Sequence, residues 1–305
     1  MESALISIIL LCYNHEKFVA EAIDGVLSQT FGPLDITVID DCSSDRTADI
    51  IAARLAVRPD IRFIRNRENM TWWGACDMGL KGAQGRFVVL SCGDDVMAPD
   101  MVAEMADVWR RHNVSLVTTN VEYIDEDSNL LGRTARPPGV AADDSFETLV
   151  RDGSNACCFG ASIGFERELY ETFGLPPSYL EACDIMLPFY AHLLKGARFV
   201  PRPLLRYRVH AKNSALSLRA ERAGGLERLE LVERMLGNHL ATAVLMQQEV
   251  NRLQVTMPSR YRDLEGRIAP LIATQIAEFA KKLVNARIEI NDLRRDTASE
   301  IAPKP

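Results

Sequence analysis

The stretch Gly85-Arg-Phe-Val-Val-Leu-Ser-Cys-Gly-Asp-Asp95 joins a run of apolar residues directly to two adjacent carboxylates. Its apolar part has the nearly continuous hydrophobicity of a strand buried on both faces, which is typical of parallel sheets. Open α/β sheets bind ligands at the carboxyl ends of their strands, so this pattern predicts a binding edge at Asp94 and Asp95. For the pair alone, an acidic surface turn is an equally good interpretation.

A second acidic pair favours the binding edge. Asp40 and Asp41 follow another apolar run, Ile36-Thr-Val-Ile39, so two strands each deliver two carboxylates at their carboxyl ends. Four converging acids contribute little to packing. They suit a hard cation that shares its oxygen ligands with substrate phosphates, as Mg2+ and Mn2+ commonly do.

Size and composition narrow the class of protein. The 305 residues allow one sizeable core and a smaller appended unit. The net charge of -7 argues against a nucleic-acid partner, which would favour a basic surface. No apolar run reaches the ~18 to 20 residues of a transmembrane helix, and the N-terminus lacks the basic start of a signal peptide. Seven cysteines without a Cys-x-x-Cys pair fit reduced thiols, so we expect a cytoplasmic protein.

Residues 1–120 alternate short apolar runs with amphipathic segments, which predicts a mostly parallel sheet covered by helices. The predicted strands are 5–11, 36–39, 61–64, 87–91 and 115–120, with helices near 19–27, 43–55, 73–84 and 99–112. Beyond residue 120 we predict a hairpin (121–124 and 129–132), strands at 161–165, 198–200 and 204–209, and a helix at 184–194.

Residues 216–305 are predicted to be helical, because two apolar stripes at helical spacing run on either side of Pro258. An αα-hairpin is the simplest interpretation. Self-association through these helices, giving a homo-oligomer, is an alternative. A peripheral helix on the inner face of the cell membrane is another.

Three motifs in order give the chain its resemblance to a known family. They are Ser7-Ile-Ile-Leu-Leu-Cys-Tyr-Asn-His-Glu-Lys-Phe18, Leu27-Ser-Gln-Thr-Phe31 and Val38-Ile-Asp-Asp-Cys-Ser-Ser-Asp-Arg-Thr47. The chain resembles the inverting glycosyltransferases of family 2 over about residues 4–215. The resemblance implies the GT-A fold, an α/β Rossmann-like architecture, with residues 1–120 binding a nucleotide sugar, residues 121–215 carrying the acceptor and catalytic half, and residues 216–305 as a C-terminal helical extension.

The same resemblance implies roles for individual residues. Tyr13 would border the nucleotide base and Asp41 would accept a hydrogen bond from it, whereas a core tyrosine and a helix-capping acid are the structural alternatives. The Asp-x-Asp metal motif falls on Cys92-Gly93-Asp94, with a cysteine in place of the first acid. Asp94 would bind the metal and Asp95 would support it. The further nucleotide-sugar contacts implied are Leu11, Asn14, Glu16, Gly93, Arg206 and Arg208.

The catalytic base is implied within Cys183-Asp-Ile-Met-Leu-Pro-Phe-Tyr-Ala-His-Leu-Leu-Lys-Gly196, where Asp184 takes the base position and Cys183 replaces a glutamate. A helix N-cap is the alternative role for Asp184. The segment Pro203-Leu-Leu-Arg-Tyr-Arg-Val-His210 matches the family's closing motif, so His210 would be a metal or diphosphate ligand. The Trp72-Trp73 pair and Cys76-Asp77 depart from the family pattern.

The resemblance, together with the acidic pairs, implies a metal-dependent inverting transferase that moves a sugar from a nucleoside-diphosphate sugar, UDP by preference, to the hydroxyl of a saccharide or lipid-linked acceptor. The cofactor would be Mn2+ or Mg2+, and the pathway cell-surface polysaccharide or glycoconjugate synthesis. The alternative is a catalytically weakened nucleotide-sugar-binding or assembly protein of the same fold. A nucleotidyltransferase is disfavoured because residues 12–16 contain no glycine, and a haloacid-type phosphatase because no aspartate follows the first strand.

Overall fold

A computed structural model gives the fold, and it describes residues 5–137, 144–152, 160–177, 180, 183–211, 213, 220 and 223–301. The chain forms two compact units. The first comprises residues 1–179 and 183–209, and the second comprises residues 180–182 and 210–305. The division between them along the chain therefore falls after Val209.

The first unit contains a single mixed sheet in the part of the chain that is described. Its strands are β1 (Ile6–Cys12), β2 (Leu34–Asp40), β3 (Arg62–Arg65), β4 (Phe87–Cys92), β5 (Val96–Met97), β6 (Leu116–Ile124), β7 (Leu130–Thr134), β8 (Ile163–Glu166) and β9 (Ala197–Arg208). Their order is β3-β2-β1-β4-β8-β6-β9-β5, with β7 paired to β6. The four strands β3, β2, β1 and β4 are parallel, as is the β6–β9 pair, whereas β8, β5 and β7 run antiparallel to their neighbours.

In the described residues, seven helices accompany this sheet in sequence. They are α1 (Val19–Leu27), α2 (Thr47–Leu55), α3 (Thr71–Gly82), α4 (Met101–His112), α5 (Phe146–Asp152), α6 (Arg167–Phe173) and α7 (Cys183–Leu194). The apolar faces of α1, α2 and α4 pack with the sheet in one large core. Helix α3 approaches β1 so closely that a Cβ on Gly79 would lie 2.7 Å from Ile9 Cγ2. Glycine at this position therefore serves packing and does not prevent the predicted helix.

Pairing register places the ends of β2, β1 and β4 together. Leu11 in β1 lies beside Ile39 in β2 and Cys92 in β4, and Cys12 lies beside Asp40. Every residue of β1 is buried, which agrees with its continuous apolar sequence. The segments that follow these three strands therefore leave the sheet at one edge.

Three features differ from the sequence prediction. Residues 116–124 form one strand with a register shift near Asn120, not a strand followed by a separate hairpin arm. Strand β9 likewise continues through Pro201 and Pro203, where two separate strands were predicted. The two-residue strand β5, which pairs antiparallel with β9, was not predicted.

The second unit is helical, with α8 (Gly225–Thr256), α9 (Pro258–Glu265) and α10 (Ala269–Ile301). Helices α8 and α10 are antiparallel partners: Arg287 Nε donates to Glu233 Oε1 at 2.7 Å, and the His239 and Phe279 rings lie 5.1 Å apart. This pair confirms the predicted αα-hairpin. Among the described helices, none combines the length and hydrophobicity needed to cross a membrane. Self-association and membrane-surface binding stay predictions.

Candidate active site

The acidic pair lies at the end of β4, as its sequence predicted. Donor atoms of Cys92, Asp94 and Asp95 lie within 4.8 Å of one another. His15, from the loop after β1, joins them, since its Nε2 is 3.8 Å from Asp94 Oδ2. The sequence indicated the acids but missed His15, whose only signal was its place within the motif that follows β1.

Asp95 is an unusual carboxylate because it is only 1% exposed. Its Oδ1 accepts the backbone N–H of Arg208 at 2.9 Å, whereas its buried Oδ2 has no hydrogen-bond partner among the described residues. Burial, and then the charge of Asp94, raise the pKa of the Asp95 carboxyl well above its ordinary value. Burial and the neighbouring carboxylate therefore favour the neutral form of Asp95.

A divalent cation fits this set of donors. Two carboxylates supply the oxygen ligands that Mg2+ and Mn2+ prefer, and the unpartnered Asp95 oxygen is a buried acceptor suited to a cation. The Cys92 thiol is a softer donor, which suits Mn2+ better than Mg2+. Metal binding by Asp94 and Asp95 is thus chemically consistent with the site.

Gly93 holds the acidic pair against the loop that follows β1. Its N–H donates to Leu11 O at 2.8 Å, and a Cβ at this position would lie 2.7 Å from Cys12 Sγ and 2.8 Å from His15 Nδ1. Burial and the charges of Asp40 and Asp94 raise the pKa of the Cys12 thiol well above its ordinary value, so Cys12 is a neutral packing residue. Glycine is required at position 93 by this close approach.

Hydrogen bonds join the loops after β1 and β2, and each loop donates to acceptors in the other. The donor–acceptor pairs are Asn14 N to Ser43 Oγ (2.9 Å), His15 N to Thr47 Oγ1 (2.8 Å), Glu16 N to Asp45 Oδ2 (3.1 Å), Ser44 N to Asn14 Oδ1 (2.9 Å) and Arg46 N to Glu16 Oε2 (3.2 Å). Tyr13, at 46% exposure, projects from this linked pair of loops. Its exposure differs from the core-tyrosine alternative.

These contacts change the interpretation of three predicted nucleotide-binding residues. Leu11 is a buried strand residue, so its side chain belongs to the core. The Asn14 and Glu16 side chains bind backbone groups of the neighbouring loop. The Asn14 and Glu16 contacts hold the loop that carries Tyr13. Contacts of Leu11, Asn14 and Glu16 with a nucleotide stay predictions.

Asp41 organises the segment before α3. Its Oδ1 accepts Asn66 Nδ2 at 2.7 Å and the Met70 N–H at 2.9 Å, and its own N–H donates to Cys12 O. Asp40 is fully buried and its Oδ2 accepts the Ser43 N–H at 3.2 Å. Asp40 is therefore a structural residue, whereas Asp41 lies where the loops after β1 and β2 meet.

The closing segment places its three polar residues in different surroundings. Arg206 is exposed and pairs with Glu122 Oε1 at 3.1 Å. Arg208 is only 1% exposed, and its guanidinium contacts Glu21, Ser128 and backbone carbonyls. This burial corrects the expectation that Arg208 contacts the donor directly. His210 belongs to the second unit, where its N–H donates to Asn213 Oδ1 at 2.6 Å.

The predicted base, Asp184, is the second residue of α7. Its side chain and that of Cys183 lie outside the described residues. Helix α7 packs against α5, α6, β6 and β9 of the first unit.

Asp77, a departure from the family pattern, accepts a hydrogen bond from the Tyr170 hydroxyl at 2.7 Å. Burial and this carboxylate raise the pKa of Tyr170 to about 12. The Asp77 carboxylate is therefore held by a hydrogen bond within the first unit.

Comparison with known proteins decides the family. The sequence model described as "Glycosyl transferase family 2" matches residues 7–174, which is more than half of the chain. The chain belongs to glycosyl transferase family 2. The match begins within β1 and includes the loops, the acidic pair and α6.

Two similar proteins illustrate this membership. An uncharacterized glycosyltransferase of Nostoc sp. is 26% identical over 219 residues, covering 70% of this chain and 67% of that protein. The Escherichia coli UDP-Glc:α-D-GlcNAc-diphosphoundecaprenol β-1,3-glucosyltransferase is 27% identical over 176 residues, covering 58% and 66%. The matches thus span about two thirds of the length of both relatives.

Among solved structures, the Pyrobaculum calidifontis mannosyltransferase PcManGT, in complex with GDP-Man and Mn2+, is 19% identical. The similarity covers 98% of this chain and 81% of that one, with a TM-score of 0.57. This likeness shows that the family 2 chain has the GT-A glycosyltransferase fold.

Proposed function

We propose that this family 2 glycosyltransferase is a metal-dependent, inverting enzyme that moves a sugar from a nucleoside-diphosphate sugar to an acceptor hydroxyl. The observation that carries the proposal is the pairing of Asp94 with the buried, partly unpartnered Asp95 at the end of β4. Supporting it, Tyr13 is exposed on the loop that also brings His15 to Asp94.

The donor is a nucleoside diphosphate sugar, with UDP as the preferred nucleotide. The E. coli relative acts with UDP-Glc on a diphosphoundecaprenol-linked sugar, and the mannosyltransferase structure holds GDP-Man. In this chain Tyr13 borders the base, and Asp41 accepts a hydrogen bond from it while fixing the Asn66–Met70 segment. Exposed Arg206 offsets diphosphate charge. The acceptor is a saccharide or a lipid-linked sugar of cell-surface polysaccharide or glycoconjugate synthesis.

Asp94 and Asp95 would hold the metal, Mn2+ or Mg2+. When bound, the cation stabilises the negative charge that develops on the leaving diphosphate. Asp184 acts at the acceptor: its carboxylate takes the proton from the hydroxyl as that oxygen forms a bond to the anomeric carbon. The bond from this carbon to the diphosphate oxygen breaks on the opposite face, so the configuration inverts.

The test compares Asp94→Asn with Asp107→Asn, which removes the same charge from an exposed position in α4. Calorimetry measures UDP binding with Mn2+ and again with EDTA. We expect Mn2+ to strengthen UDP binding to the wild type and to Asp107→Asn, but not to Asp94→Asn. Equal UDP binding by the wild type in Mn2+ and in EDTA would contradict metal dependence. Absence of transfer or hydrolysis of any nucleotide sugar by the wild type would favour a binding or assembly protein.

A further inference from the structure

The side chain of Arg208 lies in an interior junction of the first unit. It is the last residue of β9, and it is among the largest fully buried side chains of the molecule. A buried guanidinium is costly unless its charge and its donors are all compensated. The contacts of Arg208 therefore indicate what the fold gains from placing it there.

Each part of the guanidinium contacts a different segment. Nε donates to Asp94 O at 2.9 Å, Nη1 donates to Asp125 O at 3.0 Å and Ser128 Oγ at 2.9 Å, and Nη2 donates to Glu21 Oε2 at 2.5 Å. Its Cζ also lies 4.8 Å from the centre of the Phe18 ring. One side chain thus connects the start of α1, the acidic pair after β4 and the turn between β6 and β7.

The link to the acidic pair is double. The Arg208 side chain binds the Asp94 carbonyl, and the Arg208 backbone N–H binds Asp95 Oδ1 at 2.9 Å. Asp95 Oδ1 is thereby held from one direction, while its Oδ2 has no hydrogen-bond partner in the described part of the chain. Any movement of the end of β9 would shift both acidic residues together.

Glu21 completes the junction. Its Oε2 accepts from Arg208 and also from the Ser128 hydroxyl at 2.7 Å, so it neutralises the guanidinium while tying α1 to the turn. Arg208 cannot offset the charge of a nucleotide-sugar donor without breaking this set of contacts. Its positive charge serves the internal junction.

We infer that Arg208 is a positioning residue that holds Asp94 and Asp95 in their metal-binding arrangement, with Glu21 fixing the guanidinium. This inference rests on the proposed metal-dependent transfer. Outer residues that orient metal ligands typically alter metal affinity by about 10- to 100-fold when they are removed. Loss of the Arg208 side chain is expected to weaken Mn2+ binding within that range.

The experiment measures the Mn2+ concentration that half-saturates the protein in the presence of UDP, by electron paramagnetic resonance of free Mn2+. The variants are Arg208→Lys, Arg208→Met and Glu21→Gln. Glu21→Gln is included because its side chain is partly exposed, so that variant is expected to fold even if Arg208→Met does not. We expect the half-saturating Mn2+ concentration to rise 10- to 100-fold for Arg208→Met, by less for Arg208→Lys and by a few fold for Glu21→Gln.

Two controls separate positioning from general stability. Arg202→Met removes an exposed arginine of the same strand that pairs with Asp100 and Glu104. Glu166→Gln weakens a buried network at the opposite end of β4, where Glu166 lies beside Phe87 and binds Lys195 and Trp109. Glu166→Gln is expected to lower the melting temperature without changing the half-saturating Mn2+ concentration.

The outcomes distinguish this inference from the proposed function. If the wild type shows no Mn2+-dependent UDP binding, the proposed metal function fails. If the wild type binds Mn2+ but the folded Arg208 variants and Glu21→Gln half-saturate within twofold of it, the positioning role is overturned. A rise in Glu166→Gln equal to that in the Arg208 variants would also overturn it, since destabilisation alone would then explain the effect.

Discussion

Gly93→Ala is expected to damage the metal site through packing alone, without removing a ligand. The added Cβ would lie 2.7 Å from Cys12 Sγ and 2.8 Å from His15 Nδ1. Non-bonded carbon atoms pack at about 3.5 to 4.0 Å, so the segment must move by about 1 Å. Cys12 is buried at the end of β1 and cannot rotate away without opening the core. The displacement is therefore expected to fall on the segment that carries Asp94.

The expected magnitude follows from that displacement. Overpacking a buried site costs about 1 to 3 kcal/mol in the free energy of unfolding. Metal–ligand distances tolerate only about 0.2 Å, so a shift near 1 Å should weaken Mn2+ binding by at least about 10-fold. Denaturant unfolding measures the first effect. Electron paramagnetic resonance of free Mn2+ with UDP measures the second.

A matched glycine provides the control. Gly237 lies within α8, and a Cβ there meets no atom within 4 Å. Gly237→Ala should leave Mn2+ binding unchanged and stabilise the helix by up to about 1 kcal/mol. Wild-type stability and Mn2+ binding in Gly93→Ala would refute the close-approach argument.

Three further changes test the site. Asp184→Asn should lower sugar transfer by about 10²- to 10⁴-fold while calorimetry shows unchanged UDP binding, and wild-type turnover would reject Asp184 as the base. Cys92→Asp places an oxygen where the native chain has a softer sulfur donor, so it should strengthen Mg2+ binding more than Mn2+ binding. The measurement is the concentration of each metal that half-saturates UDP binding. An equal effect on the two metals would place residue 92 outside the metal's ligands. In EDTA, the raised pKa lets native Asp95 keep its proton above the unfolded carboxyl pKa of about 3.9. The native state then binds more protons than the unfolded state, so stability falls as pH rises between the two pKa values. Asp95→Asn should remove that component of the pH slope measured by denaturant unfolding, and an unchanged slope would contradict the raised pKa.

The central parallel strands, β1 and β4, were predictable because they are buried on both faces. Continuous apolar runs such as residues 6–12 and 87–91 leave little ambiguity, and the acids that follow them lie at one edge for the reason expected. Strand β5 was missed because two residues have no periodicity to detect. Strand β9 was predicted as two strands because Pro201 and Pro203 interrupt its pattern, although the strand continues through a register shift.

Within the site, the sequence indicated residue types better than contacts. The acid pair was identified from position along the strand. The burial of Arg208 could not be predicted, because arginine is normally exposed and its acceptors come from three segments distant in sequence. The role of Gly93 depends on the position of Cys12, which only the packed structure gives.

The reciprocal hydrogen bonds between the loops after β1 and β2 have a consequence for protein engineering. Since residues 14–16 and 43–47 supply each other's acceptors, they form one transplantable unit. A chimera that exchanges one loop with a relative would leave backbone donors of both parents unmatched. Redesign of nucleotide preference should therefore exchange the two loops together, as a single cassette around Tyr13.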